Sequence, residues 1–226
     1  MQRTFIISLL LALAILASGC NNGTKKGETP ESDNEPALIF DRYGFVIMDL
    51  DGFTEDKAPS SLAWNVLTLR SEDVRIQFGY IKGAKIMSDI PGMPAPSERQ
   101  TLYDWAMGML QTPKFYPATS KSILSNDYLM IDGRNAMVLN ILLERDEDEY
   151  SKLPEAVLRT NGEELDFLSK HKNCVLKIYL IFRGKDIFHI EIFTDPLNYL
   201  TVQKKFDKLI MEDLKFSDRE ETPSKS

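Results

Sequence analysis

Carboxylates are the most abundant chemistry-bearing groups in this chain of 226 residues, so cation binding is the first chemistry to weigh. Asp49-Leu50-Asp51-Gly52, with Asp56 beyond it, sets acids around a glycine turn. Hard cations favour such turns because they take several oxygens at once. The calcium loop is incomplete, however: its fifth position is Phe53 and its twelfth is Ser60. A hairpin turn with solvated acids fits better. Glu144-Arg145-Asp146-Glu147-Asp148-Glu149 can likewise gather cations, but a charge run is ordinarily a solvated face. Nucleophilic chemistry has few candidates, since His171 and His189 are the only imidazoles. Cys174 opens the apolar run Val175–Phe182 and reads as a core residue at a strand edge rather than a reactive thiol. The chain has no phosphate-cradling glycine loop, no metal-spaced Cys/His set and no Gly-x-Ser-x-Gly elbow. General acid–base work by paired carboxylates stays open, because nothing in the sequence sites them.

Cys20 is different. Arg3 precedes an apolar run, Phe5–Ala17, of 13 residues interrupted only by Ser8. That suffices for a signal-peptide core, whereas a bilayer-spanning helix needs about 20 apolar residues. The run ends in Leu16-Ala17-Ser18-Gly19-Cys20, which resembles the lipobox of bacterial lipoproteins. The resemblance implies that residues 1–19 are removed and that the Cys20 thiol carries a diacylglyceryl group, with palmitate-type acyl chains in the bilayer. The alternative is an ordinary secretory signal followed by a chance cysteine. Asn21–Pro36 then offers sixteen residues without an apolar side chain and reads as a disordered tether. Its coil span is roughly 20–25 Å, which holds the domain near the membrane, outside the plasma membrane. Asn21 rather than Asp after the cysteine would favour outer-membrane sorting in enterobacteria-like cells.

Lys and Arg number 27 against 34 Asp and Glu, and loss of Arg3 with the leader takes the net charge from −7 to −8. An acidic domain argues against nucleic acid and against electrostatic docking onto anionic lipid. With Cys20 acylated, Cys174 has no partner for an internal disulfide, so stability must come from the core.

Residues 37–218 read as one α+β domain, followed by a polar tail at 219–226. Val74-Arg75-Ile76-Gln77-Phe78-Gly79-Tyr80 alternates and pairs with Leu62–Leu69 across Ser71-Glu72-Asp73. Asp132-Gly133 turns Tyr128–Ile131 into Ala136–Leu143. A third hairpin joins Leu176–Phe182 to Phe188–Ile192, where the alternation puts His189 and Glu191 on a solvated outer face. Ser97-Glu98-Arg99-Gln100 reads as a capping box before a helical stripe of Leu102, Trp105, Ala106, Met109 and Leu110. Asp195-Pro196 predicts a second helix start, with Leu200, Phe206, Leu209 and Ile210 on its buried side. Residues 144–173 interrupt the pattern and read as an insertion holding two short helices around Asn161-Gly162. Ile90 and Met93, on the proline-rich loop before the first helix, either contact a partner or tuck against the sheet.

Tyr43-Gly44-Phe45-Val46-Ile47 followed by Asp51-Gly52-Phe53 resembles the opening hairpin of the PsbP-like family. The elements that follow match that family's order through the Asp132-Gly133 hairpin to the closing strand, helix and Leu214-Lys215-Phe216. The resemblance implies an antiparallel sheet packed with helices as an α-β-α sandwich. It also implies non-enzymatic roles: members include an extrinsic photosystem subunit, a nuclear-transport cofactor that binds a small GTPase, and bacterial lipoproteins without assigned chemistry. Taken together, the expectation is an envelope lipoprotein that binds another envelope protein, with no cofactor and no nucleic acid. The alternative is a module for a small ligand or divalent cation, with residues 144–173 as its cover.

Overall fold

The computed structural model describes residues 35–56, 65–84, 96–111, 120–152, 154, 172–184 and 186–217. The described chain opens with β1 (Leu38–Phe40), a 3-10 turn (Asp41–Tyr43) and β2 (Phe45–Ile47). Gly44 closes that turn at φ 64°, a left-handed conformation that costs glycine nothing. Next come β3 (Thr54–Glu55), β4 (Asn65–Arg70) and β5 (Val74–Ile81), then helix α1 (Glu98–Gln111). The hairpin β6 (Ser120–Ile131) and β7 (Arg134–Glu144) turns on Asp132 and Gly133, both at positive φ as a tight hairpin requires. After the one-turn α2 (Glu147–Tyr150), strands β8 (Asn173–Arg183) and β9 (Asp186–Thr194) form the third hairpin. Helix α3 (Tyr199–Lys208), a wider helical turn (Leu209–Asp213) and β10 (Leu214–Phe216) complete the described residues.

The strands form a seven-stranded antiparallel sheet, β3-β4-β5-β9-β8-β7-β6, and a three-stranded sheet, β1-β2-β10. One face of the larger sheet carries Ile76, Phe78, Tyr179, Phe188 and Ile190, and meets the small sheet together with Phe206 of α3. The other carries Met137, Leu139, Ile178 and Leu180 under Leu102, Ala106 and Met109 of α1. A helix therefore lies against each face. Two-sided cover explains why β8 reads as an almost unbroken apolar run rather than as an alternation.

Aromatic rings fasten the small sheet to the large one. Phe188 lies 4.9 Å from Phe45 and 5.2 Å from Phe216, the latter edge-on. Phe40 stacks on Phe45 at 4.8 Å. Polar ties reinforce the seam: Asp132 in the β6–β7 turn accepts from the Phe216 N–H at 2.7 Å. On α3, Asp207 accepts from Lys177 at 2.6 Å and from the Tyr179 hydroxyl at 2.9 Å. Burial, and then the charge of Asp207, raise the Tyr179 pKa, so the hydroxyl stays a donor.

Three local expectations are corrected. Helix α3 begins at Tyr199, with Asp195 capping a preceding turn by accepting from Leu197 N–H at 2.9 Å. Leu200 is exposed, because the stripe follows Tyr199, Val202, Phe206 and Leu209 and leaves Leu200 one position off it. The capping box at α1 is half formed: Ser97 accepts from Gln100 N–H at 3.2 Å, but the Gln100 side chain donates to Asp104.

Phe188→Ala removes the ring shared by both sheets, and we expect a loss of about 3–5 kcal/mol in urea denaturation. A loss below about 1 kcal/mol would show that the seam is not what holds the small sheet.

Candidate functional site

Two clusters of described polar residues are weighed as sites, one dry and one wet. The dry cluster sits on the α1-side face of β4, β5 and β9. There Thr68, Arg75, Gln77, His189 and Glu191 are all buried, the last two at 0% exposure. Register explains the assembly: Gln77 pairs directly with Thr68 on one side and Glu191 on the other, while Gly79 pairs with His189. His189 Nδ1 approaches Glu191 Oε1 to 3.1 Å. Gly79 makes this possible, since a Cβ there would overlap the His189 ring at Nε2 and Cε1. Neither atom of the Gln77 amide has a hydrogen-bond partner among the described residues. An unsatisfied buried amide costs about 1–3 kcal/mol, so water or a small polar guest is the physical expectation there. A carboxylate against an imidazole is a general-base arrangement when a substrate can reach it. At zero exposure this pair meets none as it stands.

The solvated face expected for His189 and Glu191 is thereby corrected. Alternation separates two faces but does not say whether the second one is wet, and β9 lies mid-sheet with cover on both sides. The signal was present in the sequence: Ile187-Phe188 and Ile192-Phe193 flank the pair, and a lone glycine interrupts the facing strand.

The wet cluster is the Asp49-Leu50-Asp51-Gly52 turn. Lys208 Nζ lies 3.3 Å from Asp51, 3.8 Å from Asp49 and 3.7 Å from Asp213. Its ammonium occupies the place that a cation would take among these carboxylates. Asp56 is not part of the group and pairs with Arg70 at 2.6 Å. The Asp51 hydrogen bond is the main cause holding the Lys208 pKa above its ordinary 10.5. Burial raises that of Asp213, against the pull of Lys208.

No protein-family model matches the chain, and no curated protein does. Among solved structures, the cyanobacterial PsbP of Synechocystis sp. PCC 6803 aligns at a TM-score of 0.51 and 9% identity, covering 85% of this chain and 98% of that one. The fold is PsbP-like. The Ran-binding protein Mog1p of Saccharomyces cerevisiae aligns at a TM-score of 0.46 and 9% identity, over 82% of this chain and 96% of that one. At such identity the PsbP likeness concerns the backbone path alone and assigns no side chain a role.

Within the PsbP-like domain, Cys174 is fully buried and its thiol is pushed up to about 12 by that burial, which makes it a core residue. Residues 144 and 173 pair with each other, so the segment between them joins neighbouring strands. An open cleft of about 490 Å³ lies at its root, lined by Ser120, Lys172 and the Glu144–Asp148 run. Asp146, Glu147 and Asp148 are exposed, as a solvated charge run should be. Cys20, Ile90, Met93, His171 and the expected helices around Asn161-Gly162 lie outside the described residues.

Two outcomes test these clusters. Gly79→Ala should cost about 1–3 kcal/mol by overpacking against His189. In Gly79→Ala/His189→Ala the two costs should fail to add by at least about 1 kcal/mol in a denaturation cycle. Additive costs would remove His189 from the Gly79 contact. Lys208 has a raised folded-state pKa, so its stabilisation is complete below 10.5 and is lost as pH rises through that raised value. Lys208→Met leaves three carboxylates facing one another. Its melting temperature should fall most at neutral pH and low salt, recovering as acid protonates them or salt screens them. A deficit independent of both would assign Lys208 a packing role only.

Proposed function

We propose that this protein is a lipid-anchored component of a bacterial cell envelope whose PsbP-like domain docks another envelope protein and carries out no catalysis itself. The observation that carries the anchored reading is Leu16-Ala17-Ser18-Gly19-Cys20 after a 13-residue apolar core and before sixteen polar residues. Acylated Cys20 would hold the domain outside the plasma membrane, on the periplasmic side of either membrane in a Gram-negative cell.

The binding reading draws on β6. This twelve-residue strand ends the large sheet and pairs on one side only, with β7, among the described residues. An open edge offers unpaired backbone groups to an added strand. Ile123, Leu124 and Met130 on it are 46%, 58% and 59% exposed. Bulky apolar side chains along an open edge suit an extended segment of a partner. The described catalytic-type groups are engaged elsewhere: Lys208 among its aspartates, His189 in the interior and Cys174 as a high-pKa thiol. That leaves binding as the better-supported role.

The test is cross-linked affinity purification from detergent-extracted membranes of the native host. It compares wild type, Cys20→Ala and Leu124→Lys/Met130→Lys, each quantified by mass spectrometry. We expect one partner in near-stoichiometric yield, falling at least about tenfold in both variants, since lysine on an edge strand opposes strand addition. Recovery unaffected by the β6 variant would refute docking at that edge. No enriched partner, together with a ligand-induced rise in melting temperature lost in Gln77→Leu, would transfer the role to small-ligand binding at the dry cluster.

A further inference from the structure

We propose that the outer face of α3 is a membrane-contact strip, on which the domain rests against anionic lipid. This rests on the anchored reading and adds an orientation to it. Leu197 and Leu200 are 90% and 79% exposed, more than any other large apolar residue described. Two leucines standing this far out of a folded surface find apolar contact in an acyl-chain boundary. One helical turn further, Lys204 and Lys205 lie four residues beyond Leu200 and Thr201, which places them on the same face. Both are exposed, and neither has an ion-pair partner among the described residues. Apolar tips beside free ammonium groups match a phospholipid surface, with acyl boundary below and phosphate above. The net charge of −7 hides this strip, where Lys204 and Lys205 outnumber Asp195, whose carboxylate accepts from the Leu197 N–H. Within it the charge is locally positive.

Near the start of the described chain, Ala37 N–H donates to Met48 O at 3.2 Å, and Met48 N–H donates to Asp213 O at 2.9 Å. The first described residues therefore lie beside the end of the helical segment Tyr199–Asp213, which is roughly 22 Å long at 1.5 Å per residue. The leucine end lies one helix length from that point. Sixteen residues separate Cys20 from Ala37 in the sequence. At the tether end, Asp49, Asp51 and Asp213 outnumber Lys208 and are repelled by anionic lipid. The domain should thus lean with the start of α3 on the bilayer and the aspartate cluster held off.

The experiment is co-sedimentation of the mature chain, residue 20 onward with Cys20→Ala. The vesicles are phosphatidylethanolamine with phosphatidylglycerol, or phosphatidylcholine alone. We expect salt-sensitive binding to the anionic vesicles and little to the neutral ones. One lysine near an anionic surface contributes roughly a factor of five. Lys204→Glu/Lys205→Glu should therefore lower anionic partition at least about tenfold, and Leu197→Ser/Leu200→Ser should do the same. Circular dichroism melting should be unchanged in both, since these side chains are exposed. No binding to anionic vesicles overturns the strip, as does equal binding by the variants. It is overturned too if the leucine variant keeps its vesicle binding and instead loses a cross-linked protein, which would make the face a protein site. Detergent phase partition of the wild type reports the anchor separately. A wild type that stays in the aqueous phase refutes the acylated cysteine and leaves the vesicle result to decide the strip.

Discussion

Every residue of β9, from Asp186 to Thr194, is buried, and a strand closed on both faces constrains whatever packs against it. On one side it presents Phe188, Ile190 and Ile192 to the small sheet and α3. On the other it presents His189 and Glu191, which are closed off from bulk solvent. Burying such groups costs several kcal/mol unless they find one another, so the Nδ1–Oε1 approach and the bare backbone of Gly79 are conditions for this strand being central at all. The two cores are two consequences of one strand's position.

The aromatic side of β9 also determines what the ends of the chain do. Phe45 near the start and Phe216 near the end both rest on Phe188, so the small sheet is closed by residues about 170 positions apart. Non-local closure of this kind carries a large loop entropy, which rings repay through area as well as through geometry. Asp207 adds a polar clamp from α3 onto β8, so helix and small sheet are held to the same face by different means. The outward side of α3 is left without packing work, free to carry Leu197, Leu200 and the two lysines.

Much of this was legible in the residues. Alternation and turn chemistry located the three hairpins, because Asp132-Gly133 and Ser71-Glu72-Asp73 act locally. The apolar stripe of α1 was equally local. What escaped was tertiary. Pattern alone does not reveal that the polar face of β5 and β9 is covered, and Leu200 falls outside the buried side because it lies six residues before Phe206, off the stripe that Phe206, Leu209 and Ile210 form. The carboxylates of the Asp49 turn were visible, but the lysine among them comes from a helix 157 residues away. No spacing rule reaches that far.

The functional account stands on a single cysteine. If Cys20 is acylated, the domain works at a membrane surface: the open β6 edge faces other envelope proteins and the α3 strip has a bilayer to meet. If it is not, the β6 edge loses its stated occupant and the α3 strip rests on vesicle binding alone. Intact-mass spectrometry of the protein extracted in detergent from its native host tests this most directly. The account predicts a chain that begins at Cys20 and carries the mass of a diacylglyceryl group. An unmodified chain, or one whose leader is cut elsewhere, would contradict it.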